Sequence, residues 1–292
     1  MVDIGPNTVN DLRNGLNTVV ASARAVRDFE TVMARAVDVQ RLAEGQGVSW
    51  REVRSERLLA QNITETTELR NPQKYELNLI EFEPTQVGLN VVITDRVKRR
   101  LDRKAYSVLG VQMQQAMDKK KDQDGLAILD TFTSLGGAGS TMTSGLITAA
   151  TARIRGNSTE TGIGQGALNA VLHPFQIKAL EDELKAGIGT YILTPGMTEQ
   201  VYKQGFAGTI SMANVWYAGN IDVDSSDDAK GGVFARNAIV LVEGYSPRRE
   251  EDRWPWYGGG ADVMYMYDEY IYGTRRSEWA YEIYTDASTP TS

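Results

Sequence analysis

The chain has 292 residues, enough for one elaborate domain or two interleaved domains to bury a full core. Its 38 acidic and 31 basic residues give a net charge of -7, which argues against a protein that binds nucleic acid over a broad surface, because such a surface must be positively charged. The absence of cysteine excludes disulfides, thiolate metal sites and cysteine nucleophiles.

The N-terminal sequence carries no basic segment followed by an apolar run, so we expect no signal peptide. No stretch approaches the ~20 consecutive apolar residues of a membrane-spanning helix. These two features predict a soluble protein that is made in the cytoplasm.

Apolar residues that alternate four and three apart predict a helix near the N-terminus. The row consists of Leu12, Leu16, Val19, Ala23, Val26, Met33 and Val37. Such spacing places a narrow apolar stripe along one side of a helix, where it can contact a partner. Because the stripe is short for a coiled coil, we interpret residues 1–46 as a docking arm that ends at a glycine-rich stop.

A change to period two predicts a long β-hairpin within residues 47–94. Its first strand carries Tyr75, Leu77 and Leu79. Its second strand carries Val87, Leu89, Val91 and Ile93. A hairpin with polar flanks buries too little apolar surface to be stable alone, so we expect it to rest on a neighbour.

A long spine helix is predicted from Asp95, where the side chain of Thr94 or Asp95 can cap the first turn. Apolar residues recur at helical spacing as far as Leu135, and the glycine-rich stretch 136–145 ends the segment. Two basic runs, 96–104 and 118–122, contain interspersed aspartates. We interpret both runs as solvated faces rather than as nucleic-acid patches.

Short helix and strand signals follow one another over residues 146–232 and predict an α+β unit. We expect a helix over 146–154, a turn at 161–166, a buried strand over 167–172, and strands at 190–196 and 208–219. Residues 233–292 favour strands, because eight of the thirteen tyrosines lie between Tyr245 and Tyr284 with many at alternate positions.

His173 is the only histidine, and it lies between the predicted strand and a helix that begins at Pro174. Proline is favoured at the first helical position, because the amide hydrogen that it lacks has no partner there. No serine is adjacent to His173 that it could activate. We therefore interpret His173 as a structural joint near the N-cap and not as a catalytic base.

Other candidate motifs also fail on their context. The stretch 162–166 precedes a strand, whereas a dinucleotide-binding fingerprint follows one. The acidic loop 222–232 has Asp227 and Val233 where a calcium loop needs glycine and glutamate, so we read it as a solvated loop between strands. Adjacent acids at 181–183, 250–252 and 268–269 are interpreted as surface residues. We predict no catalytic, cofactor-binding or metal-binding residue, no cofactor and no enzyme activity.

The order of these parts resembles the major capsid proteins of tailed bacteriophages, a fold shared with encapsulins and herpesvirus capsid floors. The resemblance spans about residues 69–245 and is carried by EPTQVGLNVVITDRV, GVQMQQAMDKKKDQDGLAIL, AVLHPFQIKAL and VFARNAIVLVEGY. It implies an α+β capsid fold with five parts. These are an N-terminal arm helix (1–46), an extended β-hairpin loop (47–94), a peripheral-domain spine helix (95–145), an axial domain (146–232), and a β return with the C-terminal tail (233–292).

The resemblance also implies a function. We expect a structural protein that assembles with itself, as hexamers and pentamers, into an icosahedral capsid around double-stranded DNA. Scaffolding, portal and decoration proteins are candidate partners, the DNA contacts are expected to be weak and local, and no membrane is involved. The location would be the virion, after synthesis in the cytoplasm of a bacterial host.

Three alternatives stay open. The first is the shell of an encapsulin-like nanocompartment. The second is a hydrolase that depends on two carboxylates. The third is a phage tail or adhesion module that uses the aromatic segment 253–260 as an exposed platform, although packing of these aromatics on the sheet is the favoured interpretation.

Overall fold

The computed structural model describes residues 30–43, 45, 47–55, 58, 60, 62, 77–99, 103–156, 166–188 and 208–290. The helices are α1 Met33–Ala36, α2 Asp95–Lys98, α3 Arg103–Ala127, α4 Ser144–Gly156 and α5 Pro174–Ile188. The strands are β1 Asp38–Arg41, β2 Trp50–Ser55, β3 Leu77–Phe82, β4 Thr85–Thr94, β5 Thr133–Gly136, β6 Leu168–Leu172, β7 Thr209–Ile210, β8 Ala213–Tyr217, β9 Asp228–Ala235, β10 Ile239–Trp254, β11 Ala261–Thr274 and β12 Ala280–Asp286. None of these helices is long and apolar enough to cross a membrane.

A four-stranded sheet with the order β1-β10-β11-β4 forms one layer of the molecule. Strands β10 and β11 form a long antiparallel hairpin, β4 adds antiparallel to β11, and β1 adds parallel to β10. Helix α3 packs across one face of this sheet. The shared core there consists of Ile93, Val97, Met113, Met117, Met264 and Met266.

A six-stranded sheet with the order β5-β12-β9-β6-β8-β7 forms a second layer, against which α4 and α5 pack. The predicted helix over 146–154 and strand over 167–172 are confirmed as α4 and β6. Every residue of β6 is buried, because β8 and β9 cover its two edges and its side chains share a core with α4 and α5. Strands β5 and β12 come from outside residues 146–232, so distant parts of the chain complete this sheet. The predicted turn at 161–166 and strand at 190–196 fall almost entirely outside the described residues.

The predicted hairpin is wrong in its pairing, although both of its strands exist. Strand β3 pairs with β2, with Leu79 opposite Val53, whereas β4 pairs with β11. The alternation of apolar residues identifies a strand but not its neighbour. Here β11 offers β4 a ten-residue ladder, and Ile93 of β4 packs with Met264 and Met266 of β11 in the core beneath α3.

The structure contradicts the predicted arm helix at residues 38–41 and ends the predicted spine helix earlier than expected. Of the arm, residues 1–29 lie outside the described range, α1 has four residues, and Asp38–Arg41 form strand β1 on the edge of the sheet. Helix α3 ends at Ala127, so Leu135 lies on β5 and not on the spine. The side chain of Leu135 is buried beside β12, so its apolar character comes from a position on a strand and not from the spacing of a helix.

Candidate functional site

His173 lies at the predicted strand-to-helix joint, and α5 begins at Pro174 as expected. Its Nδ1 accepts a hydrogen bond of 3.3 Å from the backbone N–H of Phe175. In return, Oε1 of Gln176 accepts the backbone N–H of His173 at 2.9 Å. This reciprocal arrangement satisfies the free amide groups at the start of the helix, as a capping box does.

The surroundings of His173 do not equip it for proton transfer. Burial lowers the pKa of His173, and the edge of its ring packs against Phe175 with the two centroids 4.7 Å apart. The neighbouring Gln176 is fully buried and donates to the carbonyl of Ala229 at 2.9 Å and to Oγ1 of Thr285 at 2.8 Å. The histidine therefore belongs to a joint that ties α5 to strands β9 and β12.

Asp122 of α3 forms a buried polar junction that the sequence did not predict. Its Oδ1 accepts the backbone N–H groups of Val32 and Met33 at 2.8 and 2.9 Å, at the start of α1. Its Oδ2 accepts Nδ2 of Asn220 at 2.8 Å. One carboxylate thus joins the long helix to the N-terminal segment and to the loop after β8.

A second network lies beside this junction and centres on Lys121. Its Nζ donates to Oε1 of Glu243 at 2.7 Å and lies 3.4 Å from Oδ2 of Asp268. Burial works to raise the pKa of Glu243, but Lys121 and Arg41 together outweigh it and hold this pKa below its usual value. The predictions of a solvated run at 118–122 and of a surface carboxylate at Asp268 are therefore wrong for Lys121, Asp122 and Asp268, which are largely buried.

The prediction of a solvated loop over 222–232 is confirmed for residues 222–227, which are exposed between two strands, but is wrong for residues 228–232, which belong to the largely buried strand β9. Oδ1 of Asp224 accepts the backbone N–H groups of Ser226 and Asp228 at 2.8 and 3.0 Å, and its Oδ2 accepts the hydroxyl of Tyr284 at 2.7 Å. These backbone and hydroxyl donors lower the pKa of Asp224. The carboxylate serves the turn itself, and the described ranges hold no group of three or more His, Cys, Asp or Glu residues that could bind a metal ion.

The β2–β3 ribbon has two unlike faces. Its inner face places Trp50, Ile80 and Phe82 against the four-stranded sheet. Arg275 fixes the base of the ribbon, donating to Glu52 at 2.7 Å and to Asp38 at 2.6 Å. The inner face is thus part of the core of this chain.

The outer ribbon face, defined as Val53, Leu77 and Leu79, is exposed. Val53 and Leu79 are direct cross-strand partners, and Leu77 follows on the same side. These residues are 57%, 57% and 59% exposed. Three large apolar side chains together on one side of a ribbon form a surface that favours contact with another protein.

The β10–β11 hairpin ends in an exposed tip. The guanidinium of Arg253 donates to both carboxylate oxygens of Asp95, with 2.6 Å between Nη1 and Oδ1. Its Nη1 also donates to Oδ1 of Asp262 at 2.7 Å. Trp254 packs against Tyr265 with ring centroids 6.4 Å apart, as the favoured interpretation expected. That interpretation is wrong for Trp256, which is 75% exposed beyond the sheet.

The fold of this chain matches solved structures over nearly its whole length. The capsid of cyanophage P-SCSP1u is 14% identical, with a TM-score of 0.68, and the match covers 99% of this chain and 97% of that chain. The capsid of Ralstonia phage GP4 is 14% identical, with a TM-score of 0.67 and coverage of 93% and 98%. The head of Helicobacter pylori bacteriophage KHP40 is 13% identical, with a TM-score of 0.69 and coverage of 99% and 100%.

The chain has the fold of tailed-phage capsid proteins. This capsid fold was predicted from the order of the sequence elements. No protein-family model and no curated protein matches the sequence. At 10 to 14% identity, the likeness rests on the arrangement of the sheets and helices and not on shared residues.

Proposed function

We propose that this protein is the structural subunit of an icosahedral phage capsid that encloses double-stranded DNA. The likeness of fold to phage capsids over more than nine tenths of both chains carries this proposal. Hexamers and pentamers of the chain would form the shell, and the virion would be its location after synthesis in the bacterial cytoplasm.

The outer ribbon face supports self-assembly. Fully burying a leucine or valine side chain stabilises a contact by about 1.5–3 kcal/mol. A neighbouring subunit that covers Val53, Leu77 and Leu79 would remove an exposed apolar patch from water. The ribbon is anchored to its own chain by Arg275, so it can present this face without unfolding.

We propose that the chain divides as the resemblance implies. Residues 1–46 would be the arm, 47–94 the extended loop, 95–145 the spine segment of the peripheral domain, 146–232 the axial domain, and 233–292 the β return and C-terminal tail. The β2–β3 ribbon would be the body of the extended loop. Strand β4, which belongs to the sheet of β10 and β11, would mark where that loop returns to the peripheral domain.

We also propose that contacts with packaged DNA are weak and local. A net charge of -7 repels a polyanion at long range, which favours packaging and release over tight binding. Scaffolding, portal and decoration proteins would be the other partners of the shell.

Electron microscopy and size-exclusion chromatography of the expressed protein test the proposal. We expect closed particles or ring-shaped capsomers, and a protein that stays monomeric at every concentration would refute it. Nucleic acid extracted from particles of the native host would distinguish a phage capsid from an encapsulin-like shell, which would hold protein cargo.

A variant with Val53→Ser and Leu79→Ser tests the role of the outer ribbon face. We expect it to fold normally but to assemble at least ten-fold less well. The matched control is Val111→Ser on α3, which replaces a similarly exposed valine at 48% exposure outside the ribbon. If both variants assemble like the parent, the ribbon face is not a contact.

A further inference from the structure

Among the described residues, no strand covers the outer edge of one stretch of the long β10–β11 hairpin. Strand β1 covers β10 only from Val240 to Glu243. Beyond that, from Tyr245 to Trp254, the described strands pair with β10 only on its β11 side. Residues 246–253 are all exposed. A strand edge of this kind is a ready template for pairing with another chain.

The order of charges along this edge selects its partner. The sequence from 248 to 252 is Arg-Arg-Glu-Glu-Asp. A second copy related by a two-fold axis perpendicular to the sheet would run antiparallel and keep its faces aligned. If the axis passes at Glu250, Arg248 lies opposite Asp252 of the second copy, and Arg249 lies opposite Glu251. Each of these opposite-charge pairs occurs twice.

We infer that residues 248–252 of β10 pair with the same residues of a second copy across a two-fold axis centred on Glu250. Pairing centred on Arg249 would keep only the contacts between Arg248 and Glu250. Pairing centred on Glu251 would place like charges together throughout, with Glu250 opposite Asp252. Opposite charges facing each other across two strands stabilise the pairing, and like charges weaken it.

In the single chain these charges make exposed contacts within their own hairpin. Arg248 lies over the rings of Tyr245 and Tyr267, and Asp252 accepts the backbone N–H of Arg253 and Nε1–H of Trp254. Arg248 lies 3.4 Å from Glu250, and Arg249 contacts Glu251, so the ions now pair along their own strand. Exposed ion pairs of this kind contribute little to stability, so exchanging them for cross-strand pairs requires little free energy. At the axis, the Glu250 carboxylates of the two copies face each other. Arg248 lies two residues away on each strand, close enough to offset these two negative charges.

The segment that pairs is also bounded. Pro247 lacks a backbone N–H, and the register of β10 on β11 shifts between Tyr245 and Arg248. The regular edge therefore begins at Arg248. A two-fold contact of this type is isologous, and a closed icosahedral shell contains two-fold axes, so the inference deepens the proposed function and rests on it.

A single cysteine reports this register, because the chain has none of its own. In antiparallel pairs, directly opposed Cα atoms lie about 4.5–5.5 Å apart, within the range of a disulfide. We expect Glu250→Cys to give a disulfide-linked dimer on mild oxidation of the assembled protein, seen on a non-reducing gel. The control Asp252→Cys lies on the same face and strand, but its two copies would be about 13 Å apart and would stay unlinked.

A charge exchange distinguishes this pairing from chance collision. In the Glu250→Cys background, Arg248→Asp or Asp252→Arg alone should lower the dimer yield about five-fold or more, because two pairs become like-charged. The two changes together should restore it. Within one chain these residues are too far apart along the strand to pair, so restoration can come only from a second copy.

The outcomes separate this inference from the proposed function. Particles that form while Glu250→Cys stays unlinked, or an Asp252→Cys protein that links equally well, would overturn the pairing and leave the capsid function standing. A protein that forms no particles but links at residue 250 would keep the pairing and refute the capsid, and one that does neither would overturn both.

Discussion

Gly125 of α3 lies so close to Tyr272 that a Cβ at this position would be 2.8 Å from Cζ of the tyrosine ring. The same Cβ would be 2.9 Å from Cβ of Met33. We expect Gly125→Ala to lower the free energy of unfolding by about 1–2 kcal/mol, because overpacking outweighs the gain in helix propensity. Urea denaturation followed by circular dichroism measures the change.

Gly110 on the same helix is the matched control. A Cβ there would meet only Nη1 of Arg249 at 3.1 Å, at the end of a flexible and exposed side chain. We expect Gly110→Ala to leave the stability unchanged or to raise it by up to about 1 kcal/mol, the usual advantage of alanine in a helix. Equal destabilisation by both variants would show that close packing against Tyr272 is not the cause.

The junction at Asp122 predicts a rescue between two residues. Asp122→Asn keeps an oxygen for the amides of Val32 and Met33 but turns an NH2 group toward Nδ2 of Asn220. We expect a loss of about 1–3 kcal/mol, typical of a buried donor left unsatisfied. Adding Asn220→Asp supplies the missing acceptor, and we expect the double variant to recover at least about 1 kcal/mol.

Thermal and urea unfolding of the four proteins in this cycle measure the coupling. Asn220→Asp alone should be destabilising, since it places two carboxylates together in a buried site. Strictly additive losses in the double variant would show that the contact between residues 122 and 220 contributes nothing.

His173 predicts a pH dependence of stability. Burial lowers its pKa below the ordinary value of 6.5, so the unfolded chain binds this proton more tightly than the folded chain. The contribution of neutral His173 to the free energy of unfolding is therefore fully present above pH 6.5, and it is lost as the pH falls from 6.5 toward the lower folded pKa. The slope of this loss is at most about 1.4 kcal/mol per pH unit. The difference in unfolding free energy between the parent and His173→Asn, measured from pH 7.5 to 5, should shrink across this range. A constant difference would contradict the prediction.

At neutral pH, substitution of Leu180 should lower the free energy of unfolding far more than substitution of His173. Leu180 is buried in the main core, and Leu→Ala changes at such sites cost about 2–5 kcal/mol. His173→Asn keeps a side-chain acceptor for the helix cap and should cost less than about 1 kcal/mol. Comparison of the two midpoints in urea checks the order, and a larger loss in His173→Asn would contradict the capping role.

The parts of the fold that the sequence predicted are those in which local pattern decides the structure. Helix α4, strand β6 and the joint at His173 follow from apolar spacing and from the position of Pro174. Each signal lies within about fifteen residues of chain, and neighbours in sequence supply the contacts that matter. The capsid fold itself was predicted from the order of such elements.

The parts that it did not predict depend on partners distant in sequence. The strand pattern of β3 and β4 was correct, but β2 carries only two apolar residues among its six and gave no sign that it would pair with β3. The charge of Asp122 suggested a surface position, although this residue precedes the buried Leu126 by four residues and so lies on the same face of α3. Helical spacing was the signal that could have revealed it.

Strand β1 completes its sheet only by pairing with β10, and Arg41 is separated from Glu243 by 202 residues. During synthesis, residues 38–41 leave the ribosome long before the strand that receives them. Pairing of such distant segments is slow, and the unpaired strand stays exposed until the last third of the chain emerges. Strand β1 is thus made early but reaches its place in the sheet late. A nascent chain that stops before β10 cannot present a complete four-stranded sheet to neighbouring molecules.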